Sequence, residues 1–360
     1  MKQENKDILK KYVCLNPFKY IDIQQDTQWV CCPSWCPTNI RQNNTNFNDT
    51  ETLKQSWFSQ TVKDIRESVT DGTYKFCDHK VCPQLSQLVN TGVKPKDFIT
   101  IEEFQQSYDL ENYSGFPEQI LFGFDRSCNL KCPSCRKDFV PNDDLESESH
   151  KTKKYLLDAV DNEFSESAKV IMITGSGDPF YSKLYRDYLI NFDASKYPNL
   201  ERIHIITNGV LLTEKMWDKL KAKPFIKTME ISIDAGTKHT YENITRLNGD
   251  WDALIENLKF LRTQTTLEHL TLSMVVSQYN YKEMEIFYNL MLEIFEKASF
   301  TFSINYRQIV HWNTGAYTIK DISNISIFDP AHPQFKDFLA ELYKINNKSE
   351  RINHNFHHLL

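Results

Sequence analysis

Gln119-Ile-Leu-Phe-Gly-Phe124 leads, after a gap of three residues, into Cys128-Asn-Leu-Lys-Cys132-Pro-Ser-Cys135. The first stretch is an apolar run of strand type, and the second delivers three thiols just beyond its end. Three thiolates so close together can hold three corners of a four-iron four-sulfur cluster, because soft thiolate suits iron–sulfur. The fourth iron is then left without a protein ligand, open to a cofactor. Zinc fits the spacing poorly, since zinc sites usually pair cysteines as CxxC with a second pair elsewhere.

Working outward, the chain has ordinary globular composition, 40% hydrophobic and 25% charged over 360 residues. That length suffices for a sizeable core plus a smaller unit. The net charge of −6 gives no electrostatic footprint for nucleic acid. The N-terminus, Met-Lys-Gln-Glu-Asn-Lys-Asp, is polar and has no apolar signal region. No apolar run approaches the roughly 18 residues of a membrane span. A cytoplasmic protein is expected, with thiols reduced and available to metal, and with neither nucleic acid nor membrane as partner.

Short β-branched and aromatic runs recur at 119–124, 168–174, 202–207, 227–233, 268–276 and 300–306. Helical periodicity fills the gaps, as in Leu254, Leu258 and Leu261, or Met284, Phe287, Leu290, Met291, Ile294 and Phe295. Such alternation with apolar strands predicts a parallel sheet. The C-terminal ends of these strands carry polar or glycine-bearing segments: Thr174-Gly-Ser-Gly-Asp-Pro179, Thr207-Asn-Gly209, Asp234-Ala-Gly236, Val276-Ser-Gln-Tyr-Asn280 and Asn305-Tyr-Arg307. In barrels built this way the chemistry gathers at that rim.

The cysteine triplet and this rim together resemble the radical S-adenosylmethionine (SAM) superfamily. The resemblance implies an α/β fold, a partial (βα)6 barrel, with Cys128, Cys132 and Cys135 as ligands of a [4Fe-4S] cluster whose open iron chelates SAM. It implies that Asn129 and Leu130 pack around cluster and adenine. Gly175, Ser176, Gly177 and Asp178 stand where the family carries a Gly-Gly-Glu type motif that meets the methionine amino group, largely through backbone carbonyls. Ser176 and Asp178 depart from that pattern. Asn208 lies on the strand-three rim. Ser232 and Asp234 are similar to the segment that meets the ribose hydroxyls. Arg246 is similar to a position whose guanidinium binds the SAM carboxylate, a planar task that suits arginine. Val276 and Asn280 resemble the segment beside the adenine.

Six further cysteines lie before residue 83, and none follows residue 135. Cys14, then Tyr20-Ile-Asp-Ile23 and Trp29-Val-Cys31-Cys32 read as a hairpin. An amphipathic helix follows, with Leu53, Trp57, Thr61, Ile65 and Val69 on one stripe and Gly72 past its end. Cys77 and Cys82 close the region. The order resembles the SPASM and twitch auxiliary-cluster modules of radical SAM enzymes, although such modules usually follow the barrel. The resemblance implies an auxiliary [4Fe-4S] cluster on Cys14, Cys32, Cys77 and Cys82. Adjacent residues on a strand face opposite ways, so Cys31 is expected as a small buried hydrophobe. Cys36 is an alternative ligand, a surface thiol or a hydrogen-atom donor.

The expected organisation is a small α+β cysteine-rich module over 1–95, a linker over 96–116, the barrel over 117–310 and a helical extension over 311–360. The expected activity is reductive cleavage of SAM to a 5′-deoxyadenosyl radical that takes a hydrogen atom from a peptide or protein. A small molecule such as a sugar or sugar nucleotide is the second reading, and a non-catalytic cluster scaffold the third. A low-potential donor such as flavodoxin or ferredoxin is the implied electron source. Tyr306, Arg307, His311 and Trp312 are substrate-side candidates by position. His354, His357 and His358 read as a solvated terminus.

Overall fold

The computed structural model describes residues 7–33, 52–79, 82–174, 176–309, 319–346, 348–356 and 359–360. Cys36, Gly175, His311, Trp312, His357 and His358 lie outside the described residues. The chain divides into two compact units, one of residues 1–124, 145–172 and 194–201, the other of 125–144, 173–193 and 202–360.

In the first unit, β1 (Tyr12–Cys14) pairs antiparallel with β4 (Phe98–Thr100), Cys14 opposite Phe98. The expected hairpin forms from β2 (Tyr20–Ile23) and β3 (Gln28–Trp29), and Asp22 faces Trp29 across it. β2 also pairs parallel with β5 (Gln119–Phe122). The N-terminal hairpin therefore extends the sheet of the first barrel strand instead of closing a module at residue 95. The expected linker over 96–116 carries β4 and the helix Ile101–Ser107, whose start is a capping box between Thr100 and Glu103. Phe98 and Phe104 in it are buried. The aromatic residues of this stretch, Phe98, Phe104, Tyr108, Tyr113 and Phe116, recur at no helical or strand period, so the sequence reads as a connector while the core claims it.

The predicted helix after Leu53 is two helices, Leu53–Trp57 and Gln60–Thr70. Ser59 starts the second by accepting from Val62 N, as an N-cap does. The break turns the stripe: Leu53, Trp57 and Val69 stay buried, but Val62 and Arg66 replace Thr61 and Ile65. Gly72 has φ 76°, and a Cβ there would stand 2.8 Å from the Lys10 backbone. Arg66 lies 4.5 Å over the Trp57 ring and 4.7 Å over Tyr113, and its Nε donates to Pro17 O at 2.9 Å. Burial pulls its pKa down to about 10, and the facing rings repay part of that cost. The helix Glu148–Glu163 and β6 (Val170–Ile173) follow.

The second unit holds five parallel strands in chain order: β7 (Arg202–Thr207), β8 (Ile226–Ser232), β9 (His269–Val276), β10 (Thr301–Gln308) and β11 (Ile352–His354). All six predicted barrel strands are present within about two residues, a usual margin at element ends, and the α/β class with parallel strands holds. One face of β7–β10 is apolar and buried, through Ile203, Ile205, Met229, Ile231, Leu270, Leu272, Met274, Phe302, Ile304 and Tyr306. Helix Met284–Phe295 packs there, with Phe287 against the Tyr306 ring. Most of the alternate residues are polar, with Ile206 and Val275 as exceptions, an unusual composition for the second face of a parallel sheet. The segment expected as a helical extension has helices Ile319–Ile325 and Phe335–Asn346 and then ends in β11. That strand occupies the edge of β10, with Ile352 opposite Ile304, which removes an open row of backbone groups.

Candidate functional site

The cysteine loop, residues 125–144, is tied down from several sides within the second unit. Cys128 N donates to Val140 O at 3.0 Å and Lys131 N to Leu247 O at 3.0 Å. Cys135 N and Arg136 N both donate to Cys132 O, at 2.9 Å each. Buried Asp125 accepts from Ser127 N at 3.0 Å and from Ser182 Oγ at 2.6 Å. Cys128, Leu130 and Cys132 form one buried cluster, and Cys135 packs at its margin.

Each of the three sulfurs meets a donor. Leu130 N is 3.4 Å from Cys128 Sγ, and Asn208 Nδ2 is 3.8 Å from the same atom. Arg246 Nη1 is 3.2 Å from Cys132 Sγ. Arg136 Nη2 is 3.4 Å from Cys135 Sγ. As free thiols, Cys128 and Cys132 are pushed up by burial, Cys128 to about 12. Converging N–H groups and two guanidinium groups suit thiolates, the form in which sulfur binds iron. Among the described residues no group of three His, Cys, Asp or Glu forms a site for a single metal ion. Cluster ligands each hold a different iron and need not converge on one point, so this donor set fits a cluster better than one ion.

The glycine-bearing loop after β6 lies directly on the cysteine loop. A Cβ at Gly177 would stand 2.5 Å from Asp125 O and 2.9 Å from Ser127 O, so no other residue fits without moving backbone. Thr174, with φ 61°, turns the chain there. Asp178 does not face an open cleft, contrary to a direct side-chain role in SAM binding. It is fully buried. Its Oδ1 accepts from Phe180 N at 3.0 Å and Tyr181 N at 3.1 Å. Its Oδ2 accepts from Thr207 Oγ1 at 2.7 Å and Asn208 N at 2.9 Å. Burial pushes its pKa up against those bonds. Asp178 thus fastens the β6 loop to the β7 loop. Ser176 offers its carbonyl to Arg136 Nη2 at 2.5 Å. Asn208 is buried and donates to Asn129 Oδ1 at 2.9 Å.

Asp234 and Arg246 form a buried ion pair at 2.9 Å. Asp234, at φ 62°, also accepts from Val275 N at 2.7 Å. Arg246 Nε donates to Ile233 O at 3.3 Å. Burial opposes the charge on Arg246, yet Asp234 and Cys132 together push its pKa up, so it stays a cation. A π-helical turn over Tyr241–Thr245 delivers Arg246 to this position, a geometry common at functional sites. Ser232 Oγ is 3.1 Å from Ser273 Oγ. Val276 is buried. Asn280 is a brace, its Nδ2 donating to Asp234 O and Val275 O at 2.9 Å each. A small cleft beside Asp234 is lined by Pro133, Thr245, Val275, Ser277 and Ile309.

Tyr306 is not on the substrate side. It is fully buried, and its hydroxyl donates to Met284 O at 2.6 Å. Arg307, its neighbour, points to the opposite, polar face and pairs with Glu230 at 2.8 Å. Register places Glu230, Thr271 and Ser303 in one row of that face and Ser232, Ser273 and Asn305 in the next. Asn305 Oδ1 is buried and meets no donor among the described residues. Sequence reasoning missed this face and also missed Arg136. The signals were present: polar residues alternate along β8 and β10, and Arg136 adjoins the third cysteine.

In the first unit, Cys82 belongs to a buried cluster with Tyr74 and Phe98, and Cys14 and Cys77 pack against it. Burial pushes the Cys14 thiol up to about 12. Cys14, Cys77 and Cys82 thus border one apolar cluster of the first unit. Cys31 and Cys32 are both half-buried and, among the described residues, are not members of that cluster.

Residues 124–291 match the family model described as the Radical SAM superfamily. AdoMet-dependent heme synthase of Methanosarcina barkeri is 24% identical over 216 residues, 54% of this chain and 57% of that protein. GTP 3',8-cyclase of Clostridium perfringens is 30% identical over 136 residues, 37% of this chain and 39% of that protein. Among solved structures, native anSMEcpe with bound AdoMet is 16% identical, with a TM-score of 0.43, and the match covers 66% of this chain and 63% of that one. The chain spans 57% or less of the length of these two curated relatives. Residues 124–291, a little under half of the chain, are thus similar to the radical SAM superfamily. No helix among the described residues is long and apolar enough to cross a membrane.

Proposed function

We propose that Cys128, Cys132 and Cys135 hold a [4Fe-4S] cluster with SAM on its open iron, and that the chain acts on a polar small molecule. One observation carries the first part: within the segment similar to the radical SAM superfamily, each of three clustered thiols meets its own N–H donor. When bound, cluster and SAM supply one-electron cleavage of SAM and a 5′-deoxyadenosyl radical able to take hydrogen from a carbon–hydrogen bond. Leu130 N, Arg136 and Arg246 stabilise the thiolates. Gly177 lets the β6 loop approach, so that backbone carbonyls are available to the amino group of SAM. The Asp234–Arg246 pair lies beside the adjacent cleft and bounds the cofactor there. Apolar residues around Leu130 exclude water.

The substrate reading rests on the polar sheet face. Glu230, Arg307, Thr271, Ser273 and the unpartnered Asn305 Oδ1 favour a ligand rich in hydrogen-bonding groups, such as a sugar or a nucleotide. A relative named as a GTP cyclase supports the same direction. A peptide or protein substrate is the second reading. The cluster of Cys14, Cys77 and Cys82 supports an auxiliary [4Fe-4S] centre, with the fourth ligand from Cys32, or from Cys31 or Cys36. A reduced flavodoxin or ferredoxin in the cytoplasm would supply the electron.

The test is anaerobic. Purified protein is reconstituted with iron and sulfide, its iron counted, and dithionite and SAM added. The C128A/C132A/C135A variant is run in parallel. About eight irons per chain, falling to about four with loss of 5′-deoxyadenosine, is the expected result. Unchanged iron in the variant, or no deoxyadenosine from the wild type, sinks the proposal. Perdeuterated sugar nucleotides and peptides then decide the substrate, through deuterium transferred into deoxyadenosine.

A further inference from the structure

Arg136 follows the third cysteine directly and is not itself an iron ligand. Its side chain is 8% exposed, although arginine is rarely buried without a reason. Nη1 donates to Arg126 O at 2.9 Å, ahead of the first cysteine. Nη2 donates to Ser176 O at 2.5 Å, in the loop after β6, and lies 3.4 Å from Cys135 Sγ. One guanidinium thus spans the start of the cysteine loop, its last thiol and the glycine-bearing loop. A fixed planar fork can serve three acceptors in set directions, which an ammonium on a flexible stem cannot.

Arg246 also reaches a cysteine sulfur, at 3.2 Å, and pairs with the Asp234 carboxylate at 2.9 Å. Arg136 reaches a cysteine sulfur together with backbone carbonyls on two loops. Cys135 is the one cysteine of the three that is only half-buried, so its thiolate gains most from a donor that water cannot displace. Hydrogen bonds to ligand sulfur, net charge and exposure set the potential of an iron–sulfur cluster, and a buried cation is little screened by salt.

We infer that Arg136 is a positioning residue that raises the reduction potential of the cluster at Cys128, Cys132 and Cys135 and ties that cluster to the Ser176 carbonyl. This rests on the function proposed above. The positive charge favours the reduced, more negative cluster, so the electron enters more easily. The bond to Ser176 fixes the glycine-bearing loop against the cysteine loop, so both settings depend on one side chain.

The test is a redox titration of the full reconstituted chain, as wild type, R136Q and R136K. Iron is counted first. The signal followed is the electron paramagnetic resonance of the reduced cluster that changes on adding SAM. R136Q should make reduction at least tenfold less favourable, a midpoint about 59 mV more negative for one electron. R136K keeps the charge and should stay within about threefold of wild type, while binding SAM more weakly because the fork on Ser176 is lost. An iron-replete R136Q within threefold of wild type overturns the inference. So does an R136K midpoint as low as that of R136Q. If R136Q takes up no iron, R136K decides: a wild-type-like midpoint supports the inference, and loss of its iron makes Arg136 a folding residue and overturns it. A wild type whose iron does not depend on the cysteine triplet fails the proposed function instead, which the C128A/C132A/C135A control reports separately.

Discussion

Replacing Asp178 separates two roles that sequence alone leaves joined. A side chain that touches SAM should matter only when SAM is present. A buried bracket should matter to the empty protein. The carboxylate collects four donors, Phe180 N, Tyr181 N, Thr207 Oγ1 and Asn208 N. In D178N the amide nitrogen will take the place of Oδ2, where the Thr207 hydroxyl can rotate to accept. Asn208 N–H is then left facing a donor, at a cost of about 1–3 kcal/mol. In D178A all four donors lose the carboxylate, although Tyr181 N keeps the Asp178 carbonyl at 3.2 Å. Thr207 can turn elsewhere, but Phe180 N and Asn208 N cannot, and the total should reach about 3 kcal/mol once partial hydration of the cavity is allowed for. With a urea slope of about 3 kcal/mol/M, the midpoint of the apo protein falls by about 1 M for D178A and by about half that for D178N. The assay is urea unfolding of iron-free protein followed by far-UV circular dichroism, with no SAM added. A D178A midpoint equal to wild type, together with lost SAM binding, would refute the bracket and restore the direct contact.

Three further outcomes follow from the same geometry. Burial raises the Asp22 pKa to about 7, against the pull of its bond from Gln24. As pH rises from about 4 to 7 the unfolded chain releases this proton and the folded chain keeps it, so stability falls through that window and stays low above it. D22N should therefore gain up to about 4 kcal/mol relative to wild type at pH 8 and nothing at pH 3, read from urea midpoints at the two pH values; a difference independent of pH contradicts it. Y306F removes a hydroxyl bonded only to Met284 O and should cost about 1–2 kcal/mol of stability, while deoxyadenosine formation per iron stays at the wild-type level; a selective loss of that activity would return Tyr306 to the substrate side. G177A forces a methyl against Asp125 O and Ser127 O, and should lower both the melting temperature and the SAM affinity of iron-replete protein, whereas normal SAM affinity would show that the two loops need not touch.

The barrel strands were legible because each combines an apolar run with a turn-rich end, and the cysteine triplet because its spacing is dense in chemistry. Roles at the rim were less legible. Tyr306 and Arg307 are adjacent, so they must face opposite sides of β10, and sequence position made both candidates. The parity was available, since Phe302, Ile304 and Tyr306 form one apolar series. The bracket role of Asp178 was illegible for another reason: its four donors come from its own turn and from Thr207 and Asn208, about thirty residues away. The region before β5 was misjudged because β1 pairs with β4 and β2 with β5. Those pairings are long-range and leave no periodic mark in the segments that join them.

Three acids, Asp125 and Asp178 buried and Glu283 half-buried, share the work of holding this rim. Asp125 gathers Ser127 and Ser182. Asp178 gathers the β6 and β7 loops. Glu283 accepts from Gly236 N at 2.7 Å, Thr237 N at 3.1 Å and Thr240 Oγ1 at 2.5 Å. Each accepts several short hydrogen bonds, and each fastens a loop that follows a strand. A carboxylate so occupied is a poor general base, because the proton it would take must displace a donor already in place. The acids of the rim thus set geometry, while on the polar sheet face Arg307 and Glu230 pair with each other at 2.8 Å. That division accords with the function proposed above, in which the chain presents three thiolates, keeps a cleft in shape before SAM arrives, and holds a polar substrate still. Loops fastened in advance have less conformational entropy to lose on binding, so the binding energy of SAM can go into orienting the bond that breaks.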